Sequence, residues 1–221
     1  MITVNTESLG ETLDAVNDAL FYGRHLTERN RTELAGWIAQ RRGRPGSDAG
    51  MFAPTDEDLC HGVRVYTGEL VKSGAAIRHV LGEEECPGLI LLDVRDNTIR
   101  EALEQADGGM LCRLRQTETS GNVHGMYCCE ICSVAYWPNV MVEGLDRNEE
   151  RLTAGMVALR AHRTNSGRWR RSRCYYTLLT LSEINLRLAL DEMRCAAPLL
   201  ERYVKKKVAD SRLSERRHIV C

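Results

Sequence analysis

The sequence predicts an all-α protein, an array of antiparallel helical hairpins. Three observations carry this reading. Apolar residues recur at helical spacing along most of the chain. Strand alternation is missing, since β-branched pairs such as Val63 and Val65 do not extend into a run. The loops between periodic segments are rich in Gly, Pro and Asn, which punctuate helices. With 221 residues and 43% hydrophobic content, one core or two small ones can be buried. We expect one all-helical domain over 1–221, with an N-terminal helix in 1–29, a repeat-like core over 30–190 and a C-terminal helical extension over 191–221.

Residues 7–20 place Leu9, Leu13, Val16 and Leu20 on one stripe, and Gly23 ends that segment. Thr27 can cap the next helix, whose Leu34, Trp37 and Ile38 share a face until RRGRPGSDAG breaks it. Further periodic runs cover 56–66, 73–93, 98–115, 128–142, 147–162, 174–188 and 188–206. The last reads as a hairpin with Leu190, Met193 and Ala197 inward and Pro198 bending or restarting the helix. The remainder, through Cys221, is a polar tail or helix. The sum is nine or ten helices.

Formal net charge is −1, but it is unevenly placed. Residues 1–110 carry 11 basic against 19 acidic side chains, and residues 111–221 carry 19 against 12. Opposite halves could attract within one fold or between two copies, so a homo-oligomer is a candidate assembly. No apolar run approaches the ~18 residues of a membrane span. The opening MITVNTESLGE has no basic region followed by an apolar run, and the nine cysteines form no close ladder. Reduced thiols in the cytoplasm are the expectation.

The chemistry concentrates in HGMYCCEICSVAYW, residues 124–137. Cys128 and Cys132 are four apart, Cys129 and Cys132 three apart, and both spacings bring side chains together on a helix. All three lie where free backbone N–H groups favour a thiolate. Zinc commonly uses Cys-x-x-Cys, so Cys129 and Cys132 are candidate metal ligands, with His124, Cys128 or Cys174 completing the set. An iron–sulfur cluster, a thiol redox pair, or cysteines packed as small apolar residues are the alternatives. His79 reads as a satisfied interhelical residue, and Glu69 as a helix-flanking acid. In TDEDLCHG, Asp56 and Asp58 begin a helix, either as caps or as a carboxylate site for acid chemistry or Mg²⁺. With Cys128 they are the candidate catalytic groups.

Between 151 and 173 there are seven arginines and no acids. Arg168, Arg171 and Arg173 surround Trp169, with Tyr175 close behind, and this set suits a small anionic molecule. Nucleic acid is a weaker expectation, because the acidic first half would repel a long backbone and no helix-turn-helix or zinc-finger spacing occurs.

Three loops share a pattern: an amphipathic helix, basic residues, a polar loop, then Gly-x-aromatic before another helix. The glycines are Gly50, Gly125 and Gly167, followed by Phe52, Tyr127 and Trp169. Glu57, Cys132 and Cys174 each lie seven places beyond the glycine. Neighbouring helix pairs must stack to hide their apolar faces, and the aromatic can plug the gap between them. The pattern resembles the repeats of the terpenoid cyclase and protein prenyltransferase superfamily. That resemblance implies hairpins arranged as a partial α/α toroid, with group transfer as the preferred chemistry. Only the loop at Gly167 has the Trp, and neither the Asp-x-Asp-Asp acid motif nor the prenyltransferase zinc ligands can be matched, so no site residue is carried over. The functional expectation is a small-molecule enzyme with a cysteine-centred, zinc-dependent pocket for an anionic substrate. The alternatives are a non-enzymatic helical interaction module, with structural zinc or no metal, and a nucleic-acid-binding protein using residues 160–173.

Overall fold

A computed structural model describes residues 2–120, 124–142, 145–205 and 210–221. Part of the middle Gly-x-aromatic loop (121–123) and part of the C-terminal segment (206–209) lie outside the described residues. Ten helices run in order among them: α1 (Leu9–Phe21), α2 (Glu28–Ala39), α3 (Asp56–His61), α4 (Gly74–Leu92), α5 (Asn97–Thr119), α6 (Glu130–Met141), α7 (Asn148–Ala161), α8 (Cys174–Glu183), α9 (Arg187–Val204) and α10 (Ser211–Val220). The described residues are all-α apart from one small hairpin, in which β1 (Val63–Arg64) pairs antiparallel with β2 (Leu70–Val71). No helix among the described residues is long and apolar enough to cross a membrane.

Side-chain caps start several helices. Ser8, Thr27, Asp96 and Asp210 each accept from backbone N–H groups in the first turn of α1, α2, α5 and α10. Thr55 and Asp58 form a reciprocal capping box on α3. The Asp58 carboxylate also accepts from Ser8 Oγ at 2.6 Å, Leu9 N at 3.0 Å and Gly10 N at 3.3 Å, so one buried acid ties the start of α3 to the start of α1. The helix expected over 56–66 stops at His61. Gly62 turns the chain with φ +81°, and a Cβ there would sit 2.6 Å from the Val71 carbonyl, so the hairpin takes over.

Helix α4 is the centre of the packing, contacting α1, α2, α3, α5 and α6. α6 in turn meets α7 and α8, and α9 packs on both α7 and α8. A helix surrounded this way keeps little solvent face, which explains why Ile77, Val80, Leu81, Cys86, Leu89 and Leu92 are all buried. Buried with them are Glu83 and Glu85, whose carboxyl oxygens have no hydrogen-bond partner. Glu84, between them, is half-buried and bonds the Tyr176 hydroxyl.

Helix α9 departs from the sequence expectation. It runs unbroken through Pro198, and Leu190 is 43% exposed, while Ala189, Glu192, Ala196, Leu199 and Leu200 face inward. The buried face has rotated because Glu192 has partners inside: Arg160 Nε at 2.9 Å, Trp169 Nε1 at 3.0 Å and Arg163 Nε at 3.1 Å. A carboxylate with three donors is a better core group than an exposed Leu190 would suggest. At the C-terminus, Arg216 of α10 is 1% exposed and bridges to α1, with 2.6 Å contacts to both Asp14 and Asp18, and donates to the Tyr66 carbonyl at 2.9 Å.

Burial pushes the Glu85 carboxyl well above the usual range, with the Glu84 and Asp58 charges adding and Arg41 opposing. A folded value raised above the unfolded one means stability is complete below the unfolded value and declines as pH rises toward the folded value. Glu85→Gln is therefore expected to raise the melting temperature at pH 8 by roughly 3–8 °C and to leave it nearly unchanged at pH 5. Parallel calorimetric melts at the two pH values check this; an equal shift at both would contradict the charge explanation.

Candidate metal centre

The loop before α6 is placed by Gly125. Its φ is +80°, and a Cβ there would lie 2.4 Å from both Arg151 O and Gly155 N of α7. Its carbonyl accepts from Tyr136 OH at 2.9 Å and Trp137 Nε1 at 3.0 Å, two buried aromatics of α6. Only glycine suits both the backbone angle and the close approach. Tyr127 follows as a fully buried side chain, its N–H donating to Ser133 Oγ at 3.0 Å. Cys128 then begins the approach to α6 and Cys129 is its N-cap.

The other two aligned glycines also take left-handed angles, φ +75° at Gly50 and +78° at Gly167, and Phe52 and Trp169 are buried like Tyr127. Isolated antiparallel bridges close those two loops, Arg42 with Phe52 and Arg163 with Trp169. The likeness is one of turn chemistry. It does not bring Glu57, Cys132 and Cys174 together: Glu57 is an exposed partner of His61, while Cys174 starts α8 with Arg168, Glu69 and Cys221 as its electrostatic neighbours.

The thiols meet a histidine from α4. His79 Nδ1 lies 3.2 Å from Cys128 Sγ and 3.4 Å from Cys132 Sγ, and Cys129 Sγ lies 3.3 Å from Cys132 Sγ. The ligand atoms of His79, Cys128 and Cys132 all fall within 4.8 Å of one another, a candidate metal-binding triad. A tetrahedral zinc with bonds of about 2.3 Å to sulfur and about 2.0 Å to nitrogen needs ligand atoms roughly 3.5–3.8 Å apart, so this set would open by a few tenths of an ångström. Cys128 and Cys129 are exposed, whereas Cys132 is buried.

The second nitrogen of His79 is held as well. Nε2 lies 3.4 Å from Asp48 Oδ1, and Asp48 Oδ2 accepts from Tyr127 OH at 3.0 Å. Burial would push the Asp48 carboxyl up, but bonding and charge from His79, the Tyr127 hydroxyl and the Arg113 charge outweigh it and hold it below the usual range. A carboxylate behind a histidine fixes the tautomer that presents the opposite nitrogen to a metal. Asp48 itself is placed by tight packing of its loop: a Cβ on Gly109 of α5 would lie 2.0 Å from Ala49 O, and one on Gly82 of α4 would lie 3.0 Å from Met51 Cε.

The three sulfurs are electrostatically unequal. Bonding to the Cys128 and Cys132 side chains, with the N–H groups of Cys132 and Ile131 adding to it, holds the Cys129 thiol far below the usual thiol range against the effect of burial. The same bonds push Cys128 and Cys132 up. Behind them Glu83, one helical turn from His79, is pushed well above the carboxylate range by burial first, then by the fields of Cys129, Asp48 and Glu84.

Other residues expected at the site lie elsewhere in the fold. His124 Nδ1 is 2.8 Å from Glu118 and its Nε2 3.3 Å from Glu150, an ion cluster between α5 and α7 rather than a thiol contact. Asp58 is the cap described above, and Asp56 is an exposed residue of the first turn of α3. In the arginine segment, Trp169 is buried with its N–H on Glu192, Arg168 lies over the Tyr203 ring, Arg173 donates to the Leu70 carbonyl, and Arg171 is exposed. Tyr175 packs between Arg217 and Tyr203, and Glu69 caps α8 through the Tyr175 and Tyr176 N–H groups. His79 is the group that sequence reasoning passed over. It stands 49 residues from Cys128 and 53 from Cys132, with no local spacing to mark it.

Comparison with protein-family models, with curated proteins and with solved structures gives no match. The resemblance to cyclase and prenyltransferase repeats is neither supported nor refuted by these comparisons, and the site stands on its own geometry.

Gly125→Ala is expected to lower stability by roughly 2–4 kcal/mol, through left-handed strain and the collision with α7. Denaturant unfolding measures it; a loss below about 0.5 kcal/mol, the scale of an ordinary surface change, would show that the loop is not placed by this contact.

Proposed function

We propose that this chain is a zinc-binding helical protein in which His79, Cys128 and Cys132 hold the ion and Cys129 swings in as the fourth ligand. Zinc sites with four Cys or His ligands are closed and structural, so the role assigned is that of a non-enzymatic interaction module whose loops are locked by the metal. One observation carries the reading: a single histidine touches two cysteine sulfurs through one nitrogen and a half-buried carboxylate through the other. Ordinary cysteine packing does not call for an oriented imidazole. The ion would join α4, α6 and the loop of Asp48, three segments distant in sequence. Soft ligands in this number suit zinc better than magnesium or calcium.

A second reading is favoured by the exposure of Cys128 and Cys129 beside the unpartnered Glu83. If Cys129 stays off the metal, the fourth position belongs to water or substrate, and the site becomes that of a zinc-dependent enzyme. The arginines set out for an anionic substrate do not add to this reading, because their contacts run to α9 and the small hairpin.

Elemental analysis of protein purified without added metal is expected to give one zinc per chain. Cys132→Ser and His79→Ala should abolish it, and Asp48→Ala should weaken it about 10–100-fold. Cys129→Ser separates the readings, lowering zinc affinity sharply if the site is closed and leaving it intact if the fourth position is open. A wild-type protein that binds no zinc under reducing conditions would overturn both. Stoichiometric iron would instead assign the thiols to a cluster.

A further inference from the structure

A second site lies on the other side of α4, where the chain has placed two prolines. Pro87 of α4 and Pro138 of α6 line a cavity of about 340 Å³ together with Leu20, Phe21, Leu91 and Leu179. A proline within a helix leaves the carbonyl four residues earlier without its usual donor. For Pro138 that carbonyl is Val134 O, and Thr180 Oγ1 donates to it at 3.5 Å. The walls are mostly apolar, and the volume falls at the small end of ligand pockets.

The polar groups of this cavity are one-sided. Glu84 and Glu183 both line it, as do Asn17, Thr180 and the hydroxyl-bearing Tyr66 and Tyr176, while no Lys, Arg or His among the described residues does. Tyr176 OH is bonded to Glu84. Tyr66 is only 4% exposed, and its hydroxyl is buried without a partner in the field of Arg216, Asp18 and Tyr22. The Arg216 guanidinium lies 3.8 Å over the Tyr66 ring but is bonded to Asp14 and Asp18. Carboxylates without a cation among the described residues, set among aliphatic and aromatic walls, are complementary to a hydrophobic body with a positively charged, donor-rich head.

We propose that the cavity between α1, α4, α6 and α8 binds a small hydrophobic amine, its ammonium held by Glu84 with Glu183 as a further acceptor and its apolar part lying against Phe21, Pro87, Pro138 and Leu179. The site is separate from the thiols and needs no metal. Glu84 also supplies a pH response. Burial, opposed by the Tyr176 bond and aided by the Asp14 charge, pushes its carboxyl up to about 7. The ionised form, which the ammonium needs, therefore develops between mildly acidic and mildly alkaline pH.

The test titrates the full chain, as purified, with three isosteres: 4-phenylbutylamine, 4-phenylbutanol and 4-phenylbutanoate. Calorimetry at pH 8 is expected to find the amine at least tenfold tighter than the alcohol, with the carboxylate weakest. Lowering the pH to 6 should weaken the amine about tenfold and leave the alcohol unchanged. Glu84→Gln should erase the amine's advantage without touching the alcohol's affinity. If that variant does not fold, the isostere ranking and pH dependence of the wild type decide. An alcohol as tight as the amine would reduce the cavity to an apolar groove, and a carboxylate tighter than the amine, or no binding of the amine at all, would overturn the assignment.

Discussion

The packing of α4 against α6 is the constraint on which the rest of the structure depends. It brings His79 to Cys128 and Cys132, and on another face it forms the apolar cavity around Pro87 and Pro138. Both helices are buried on more than one side, so neither can tilt without disturbing several neighbours. Gly125 and Gly155 allow the third partner, α7, to come close, with Trp137 wedged between them: a Cβ on Gly155 would lie 2.6 Å from Trp137 Nε1. The geometry of the thiols is thus set by backbone contacts rather than by the thiols themselves.

Electrostatics follows from the same crowding. Three consecutive glutamates on α4 meet three different environments. Glu83 stands behind the sulfurs, Glu84 reaches the Tyr176 hydroxyl, and Glu85 looks toward Arg41 and Asp58. Burial raises all three, so the acidic run at the centre of the protein is biased toward its protonated form. Elsewhere buried charge is fully paired: Glu192 with Arg160, Arg163 and Trp169, and Arg216 with Asp14 and Asp18. Those clusters connect helices remote in sequence, and removing the central Glu192 or Arg216 would take away the buried partner that the charges around it share.

Much of the fold was legible. Thr27 caps α2 as its position implied, the apolar stripe of Leu9, Leu13 and Val16 is buried, and the boundaries of α4 and α7 fall close to their periodic runs. The exceptions have physical reasons. The run over 56–66 hid a hairpin because two-residue strands are too short to show alternation. The inward face of α9 was misplaced because a buried carboxylate, Glu192, looks like a surface residue until its three donors are known. Half of the candidate site was legible too: Cys128, Cys129 and Cys132 declare themselves by helical spacing, whereas His124 was the near histidine and His79 the one that arrives.

Helix, cap and sulfur spacing are local properties, carried by neighbours within a turn or two, and the amino-acid order alone determined them. The left-handed angles at Gly50, Gly125 and Gly167 belong to the same class, since glycine is the residue that adopts them without strain. Which histidine meets the thiols, which two of three adjacent glutamates stay dry and which prolines share a cavity were decided by tertiary packing. Those outcomes depend on distances between segments tens of residues apart, and no local rule of spacing encodes them.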